Sequence, residues 1–300
     1  MSPAALEWLT RFRRHLRTER QLSRHTDSNY ARDLAALVRF CDAQNLSEWS
    51  ALDGQHLRVF AAHSHAHGLA PRSIQRRLSA VRSFFRFLLR ERALARSPAM
   101  EVRAPKAARR LPGTLDADQM ARLLELPPGE PFAVRDRALM ELLYSSGLRL
   151  AELTALDLED LDLKDRIVRV TGKGKRMRDV PVGRKALQAL TLWLQERATL
   201  PRVDPRAVFV GRQGRRLGAR AIQLRVAYWA KRQGLPMHVH PHLFRHSFAS
   251  HLLESSSDLR GVQELLGHAN VSTTQIYTHL DFQHLARIYD ATHPRARRKG

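Results

Sequence analysis

Six residues from position 149 onward in this 300-residue chain could do chemistry together: Arg149, Lys173, His242, Arg245, His268 and Tyr277. Two arginines, a lysine, two histidines and a tyrosine suit attack on a phosphodiester by a tyrosine hydroxyl. A guanidinium is planar, permanently charged and able to fork onto two oxygens of one phosphoryl group. A tyrosine oxygen forms covalent intermediates once it is positioned and activated. No carboxylate cluster accompanies the six to hold magnesium. The cations are therefore expected to stabilise the charge themselves, with no cofactor and no metal. Five histidines between 238 and 251 raise zinc as an alternative, but no cysteine lies near them and no His-Glu-x-x-His pattern occurs. His63, His65 and His67 read as surface residues.

Each of the six needs an element to present it. Arg149 follows a glycine turn in Ser145-Ser146-Gly147-Leu148-Arg149-Leu150 and opens a helix over Leu148–Leu156. Two β-patterned runs, Arg166–Thr171 and Arg176–Val182, flank Gly172-Lys173-Gly174-Lys175, which puts Lys173 at the tip of a hairpin. His242 and Arg245 are three apart on a helix over Pro241–Glu254 and share a face, with proline suited to the helix's first turn. Tyr277 falls in a short helix over Ser272–Thr278. Further helices are expected near Asp116–Leu126, Pro131–Ser145, Gly183–Thr199, Ala219–Gln233, Leu259–Leu266 and Phe282–Ala291, with a strand at Ala207–Val210.

The first ninety residues read differently. Apolar residues recur at helical spacing from Ala4 to about Arg90, interrupted at Leu22-Ser23, Asp53-Gly54 and Gly68-Leu69-Ala70-Pro71, which gives four helices. In the fourth, Ile74, Leu78, Val81, Phe85 and Leu88 form one stripe, and Arg72, Arg76, Arg86 and Arg90 fall opposite it. That helix has no acid before Glu91, so the arginine face is expected to meet the phosphates or a groove of DNA. Residues 92–113, with Pro98, Pro105 and Pro112 among basic residues, read as an extended linker. The expected organisation is a helical domain over 1–91, the linker over 92–113, and a catalytic domain over 114–300.

Charge agrees with a polyanionic partner. The chain carries 51 Lys+Arg against 29 Asp+Glu, a net +22. Residues 1–110 hold 21 basic and 9 acidic side chains and residues 111–300 hold 30 and 20, so both domains are basic. No apolar run has the length of a membrane span, and residues 1–20 are too charged for a signal peptide, so a cytoplasmic location is expected. The single cysteine, Cys41, reads as a small core residue in a reducing compartment.

The joint order is the specific signal: an arginine after a glycine turn, a hairpin lysine, His-x-x-Arg, Leu-Gly-His, and a tyrosine nine positions later. In this the chain resembles the tyrosine recombinase (phage-integrase-like) family. Gln21-Leu22-Ser23, Ala80-Val81-Arg82-Ser83-Phe84-Phe85, Ala133-Val134-Arg135-Asp136-Arg137-Ala138-Leu139 and Gly261-Val262-Gln263-Glu264-Leu265-Leu266-Gly267-His268 resemble its bacterial Xer subgroup. The run from Tyr277 to Ala286 resembles one of that subgroup's two paired branches. The likeness covers nearly the whole chain. Ala151, where the family often has serine, and Phe244 inside the His-x-x-Arg turn are small departures.

The resemblance implies a mainly α fold with a small β-hairpin sheet. An N-terminal helical core-binding (SAM-like) domain and a mixed α/β catalytic domain would form a C-shaped clamp around double-stranded DNA. It implies a 3′-phosphotyrosyl intermediate on Tyr277, with Arg149 and Arg245 on the non-bridging oxygens and Lys173 protonating the leaving 5′-oxygen. His242 and His268 would assist at the tyrosine and the phosphate. It also implies a dif-like recombination site, a XerD-like partner in a cyclic heterotetramer of two protomers of each kind, docking by the C-terminal helix, and regulation by the septal DNA translocase FtsK. The task would be resolution of chromosome and plasmid dimers at cell division. A phage or mobile-element integrase is the nearest alternative; a type IB topoisomerase and a catalytically silent DNA-binding protein are the others.

Overall fold

Turn and cap chemistry sets the boundaries of the first four helices. The computed structural model describes residues 1–19, 24–100, 102, 104, 113–127, 129–172 and 177–256. The chain divides into two units, Met1–Arg110 and Leu111–Gly300. In the first, α1 (Pro3–Thr18) starts with Pro3 in its first turn and Ser2 accepting from the Ala5 amide at 3.0 Å. The helix α2 spans Arg24–Ala43. Asp53 caps α3 (Gly54–Ala66) by accepting from the His56 amide at 2.8 Å, and Pro71 opens α4 (Pro71–Arg90). These are the four helices that the turn signals imply.

The α4 stripe is the heart of this unit. Ile74, Leu78, Val81, Phe85 and Leu88 are all buried, and Phe84 and Phe87 widen the stripe to meet Phe12 of α1. Each such side chain contributes about 1.5–3 kcal/mol by leaving water. Trp49 packs edge-on against Phe84 and donates to the Ala5 carbonyl at 2.7 Å, so its polar atom is satisfied inside. Asp27 joins α1 to α2 by accepting from Arg13 at 3.0 and 3.1 Å and from Arg17 at 2.9 Å. The Arg13 bond, with help from Arg17, holds the Asp27 carboxyl below the usual range. Cys41 is buried, and burial pushes its thiol up to about 11. His63, His65 and His67 are exposed.

The second unit is built around α6 (Ala133–Ser145), which is buried almost all round, as a helix at the centre of a domain must be. It packs against α5 (Ala117–Leu124), the short α7 (Leu150–Ala155), α8 (Arg184–Thr199), α9 (Ala219–Arg232) and α10 (Pro241–Ser256). Three antiparallel strands, β1 (Leu161–Asp162), β2 (Ile167–Thr171) and β3 (Met177–Pro181), form a sheet in the order β1-β2-β3. Val168 opposes Val180 and Val170 opposes Arg178. Directly opposed residues share a face, so Arg178 lies on the side where Val168, Val170 and Val180 are buried.

Two expectations are corrected here. Ala207–Val210 is not a strand; it makes only isolated bridges, Asp157 with Ala207 and Val210 with Arg216. Its first two carbonyls are taken by α8 side chains instead, with Arg197 donating to Ala207 at 3.0 Å and Trp193 to Val208 at 2.9 Å. Leu148 precedes α7 rather than joining it, because the chain is still turning at Gly147 (φ 55°) and extended at Arg149. A tighter constraint holds Gly214 (φ 71°), where a Cβ would stand 2.2 Å from the Arg202 carbonyl oxygen.

The first turn of α6 is fixed by a buried ion cluster. Asp136 accepts from Arg135 at 2.7 and 3.0 Å, from the Trp229 indole at 2.8 Å, and from Arg225. Arg135 is itself buried and also donates to the Val210 carbonyl at 3.0 Å. Removing the acid strands a buried guanidinium, and losing one partner of such a pair costs about 3–5 kcal/mol. Asp136→Ala is therefore expected to lower stability by about that amount in urea melts. A loss below about 1 kcal/mol, the value of an exposed pair, would mean that water reaches the cluster.

Candidate active site

The far end of α6 carries the chemistry. After Ser145 the chain turns at Gly147, and Arg149 becomes the N-cap of α7 with extended backbone (φ −75°, ψ 148°). Buried Leu148 pins the turn from below, and the Ser146 hydroxyl ties it to the end of β3 by donating to the Pro181 carbonyl at 2.9 Å.

One turn into α7, Glu152 reaches back. Its carboxylate accepts from the Arg149 amide at 2.8 Å and from the Arg149 Nη1 at 2.9 Å. The same carboxylate accepts from Nη1 and Nη2 of Arg178 at 2.8 and 3.0 Å. Burial works to raise the Glu152 pKa, yet the bonds from Arg178 and Arg149 overcome it and the net shift is downward. The Glu152 side chain is 3% exposed and that of Arg149 is 36% exposed. An incoming phosphate can therefore meet the arginine but not the acid.

Arg245 arrives from α10. Phe244 and Phe248 are buried beside it and fix the helix's rotation, and Arg245 Nη1 donates to the Gly147 carbonyl at 2.5 Å. The second arginine is thus bonded to the turn that presents the first. Burial pulls the Arg245 pKa down to about 10, and the neighbouring charges of Arg149 and Arg178 pull the same way, while Glu152 opposes them. Three guanidinium groups share one acid, and the excess of positive charge favours an anion between them.

His242 is exposed one turn before Arg245 on α10. Its ring meets that of His240 edge-on at 6.3 Å between centroids. Burial, and then the charges of His242, His238 and His246, lower the His240 pKa. Among the described residues no group of His, Cys, Asp and Glu is placed to hold a metal ion. Lys173, His268 and Tyr277 lie outside the described residues.

The α4 arginines divide. Arg72 and Arg86 are exposed. Arg76 is bonded to buried Asp33 of α2. Arg90 donates to Glu91 at 2.9 Å and to Glu19 at 3.1 Å, and lies over the Phe87 ring. Sequence reasoning missed Glu152 and Arg178. The only hint of Glu152 was its place three residues after Arg149, the spacing at which a glutamate reaches back to an N-cap amide.

Comparison with known proteins agrees with this geometry. Residues 113–284 match the phage integrase family and residues 9–92 match the phage integrase N-terminal SAM-like domain. The chain belongs to the phage integrase family, and it is a tyrosine recombinase. Tyrosine recombinase XerC of Pseudomonas syringae pv. tomato is 57% identical over 288 residues, covering 95% of each protein. Tyrosine recombinase XerC of Xanthomonas campestris pv. campestris is 54% identical over 296 residues, covering 99% of this chain and 91% of the relative. With that likeness over nearly its full length, the chain is a site-specific DNA recombinase of the Xer type, similar to XerC. Its fold matches that of the XerH site-specific recombinase bound to a palindromic difH substrate, with a TM-score of 0.70 at 22% identity over 94% of this chain and 84% of that one.

Proposed function

We propose that this recombinase cuts and rejoins duplex DNA at a dif-like site through a 3′-phosphotyrosyl bond to Tyr277. The observation that carries the reading is the bond from Arg245 to the Gly147 carbonyl, which sets two arginines from distant segments at one turn. A phosphate there would take its non-bridging oxygens to Arg149 and Arg245. The Tyr277 oxygen attacks phosphorus as the bond to the 5′-oxygen breaks, Lys173 gives the leaving oxygen its proton, and His242 assists removal of the tyrosine proton. His268 hydrogen-bonds the phosphate. The phosphotyrosine conserves the bond energy, so the 5′-hydroxyl of a second strand can reverse the step without ATP.

The Xer-type relatives support a cellular role in resolving chromosome and plasmid dimers at cell division, in the cytoplasm. The chain would act in a cyclic tetramer with two protomers of a XerD-like recombinase, docked by its C-terminal helix and licensed by the septal translocase FtsK. Arg72 and Arg86, exposed on α4, are the foremost phosphate contacts of the N-terminal domain. Arg76 and Arg90 would contact DNA only in competition with Asp33, Glu19 and Glu91.

A nicked suicide duplex carrying the site footprinted in the host's replication-terminus region tests the reaction. Covalent protein–DNA adduct should accumulate at the same rate in excess EDTA, because arginine and lysine supply the charge and Glu152 is committed to two arginines. Adduct formation lost in chelator and restored by magnesium or zinc would refute this reading in favour of the histidine cluster.

A further inference from the structure

Both oxygens of one buried carboxylate are filled by an arginine to which the proposed chemistry gives no role. Arg178 donates Nη1 to Glu152 Oε1 at 2.8 Å and Nη2 to Oε2 at 3.0 Å, the two-point fork that fixes a carboxylate in both position and plane. Glu152 in turn accepts from the backbone amide and from Nη1 of Arg149. Glu152 sits on α7 and Arg178 on β3, so the contact joins two elements 26 residues apart in sequence. The Arg178 side chain is 21% exposed, and its Nε is buried with no hydrogen-bond partner among the described residues. That placement suits a group that acts through its neighbour rather than on solvent.

We infer that Arg178 is a positioning residue for strand cleavage: it orients Glu152, and Glu152 orients the Arg149 guanidinium. Without Arg178, the buried carboxylate would keep one donor on each oxygen, the Arg149 Nη1 on Oε1 and the Arg149 amide on Oε2, where it now has two. It would draw Arg149 into a two-point pair with itself, in the geometry that arginine is meant to offer a phosphate. With Arg178 in place, Glu152 is already satisfied and acts as a fixed acceptor. Arg178 also adds a third positive charge to the pocket without itself touching the substrate. This rests on the reading that Arg149 contacts the scissile phosphate.

The test uses the full chain and the nicked suicide duplex, measuring site affinity by gel shift, single-turnover adduct rate and thermal midpoint. Arg178→Ala is expected to slow adduct formation by roughly a hundredfold, the cost of a displacement near 1 Å at a reacting group, with site affinity retained. Arg178→Lys, which can fill one oxygen, is expected to recover part of the rate. If Arg178 works through Glu152, the double variant with Glu152→Gln loses no more than the worse single variant, because the two act as one unit.

A wild-type rate for Arg178→Ala beside an inactive Arg149→Ala would overturn the inference. So would additive losses in the double variant, which would assign Arg178 to the phosphate directly. Equal falls in affinity and rate would reduce it to a structural tie. Should the alanine variant not fold, Arg178→Lys decides: a fully wild-type rate with a lowered thermal midpoint overturns the inference, and a slowed rate at unchanged affinity supports it. An Arg149→Ala variant that still cleaves would overturn the assignment of Arg149 to the phosphate, and this inference with it.

Discussion

Tyr277→Phe is expected to form no covalent adduct while binding its site as the wild type does, because the change removes one oxygen and leaves the ring. Loss of a nucleophile costs on the order of 10⁶ in rate in enzymes whose catalytic groups act as a unit. Among the described residues, Arg149, Arg245 and Glu152 are held by bonds to the turn at Gly147, to α7 and to β3. Phosphate binding should therefore survive the substitution. Single-turnover cleavage and gel shift on the same duplex separate the two properties. Adduct persisting in the phenylalanine variant would show that another residue attacks.

Arg149→Lys is expected to lose about 10²–10³ in cleavage rate, the cost of removing one preorganised donor from a developing oxyanion. An ammonium keeps the charge but presents it as a point, without the planar fork. Here the lysine would also be drawn to Glu152, whose carboxylate accepts from Arg149 Nη1 at 2.9 Å. A single nitrogen engaged there has little left for phosphate. Rates near wild type from this variant would place Arg149 outside the reacting centre.

What the sequence could and could not reveal follows from the range of each interaction. The breaks at Leu22-Ser23, Asp53-Gly54 and Gly68–Pro71 mark all four N-terminal helices because capping and proline geometry are local. The glycine turn before Arg149 and the His-x-x-Arg spacing around Arg245 are local too, and the structure brings those two arginines to one turn. The Glu152–Arg178 pair was not legible, because nothing near either residue announces a partner on another element. The same reason applies to α4, whose lack of acids suggests an open basic face. Asp33 lies on α2 and Glu19 follows α1, and only tertiary packing brings them to Arg76 and Arg90. A strand of two residues such as β1 is too short to show alternation at all. Ala207–Val210 has the right composition for a strand, but the Ala207 and Val208 carbonyls meet α8 side chains and only isolated bridges form.

The position of α10 bears on when in the life of the chain it becomes able to cut. Ser247 on that helix accepts from the Leu115 amide at 2.9 Å, and His251 meets the buried Tyr144 hydroxyl at 2.8 Å. The last described helix thus closes onto the first residues of its unit and onto the C-terminal end of α6, contacts of long sequence separation that form slowly. The N-terminal helices have their own core and no such dependence. During synthesis a basic helical domain is complete well before Arg245 leaves the ribosome. A nascent chain therefore holds a folded basic domain before its second arginine is in place, and the order of synthesis separates the folding of that domain from the assembly of the arginine pair.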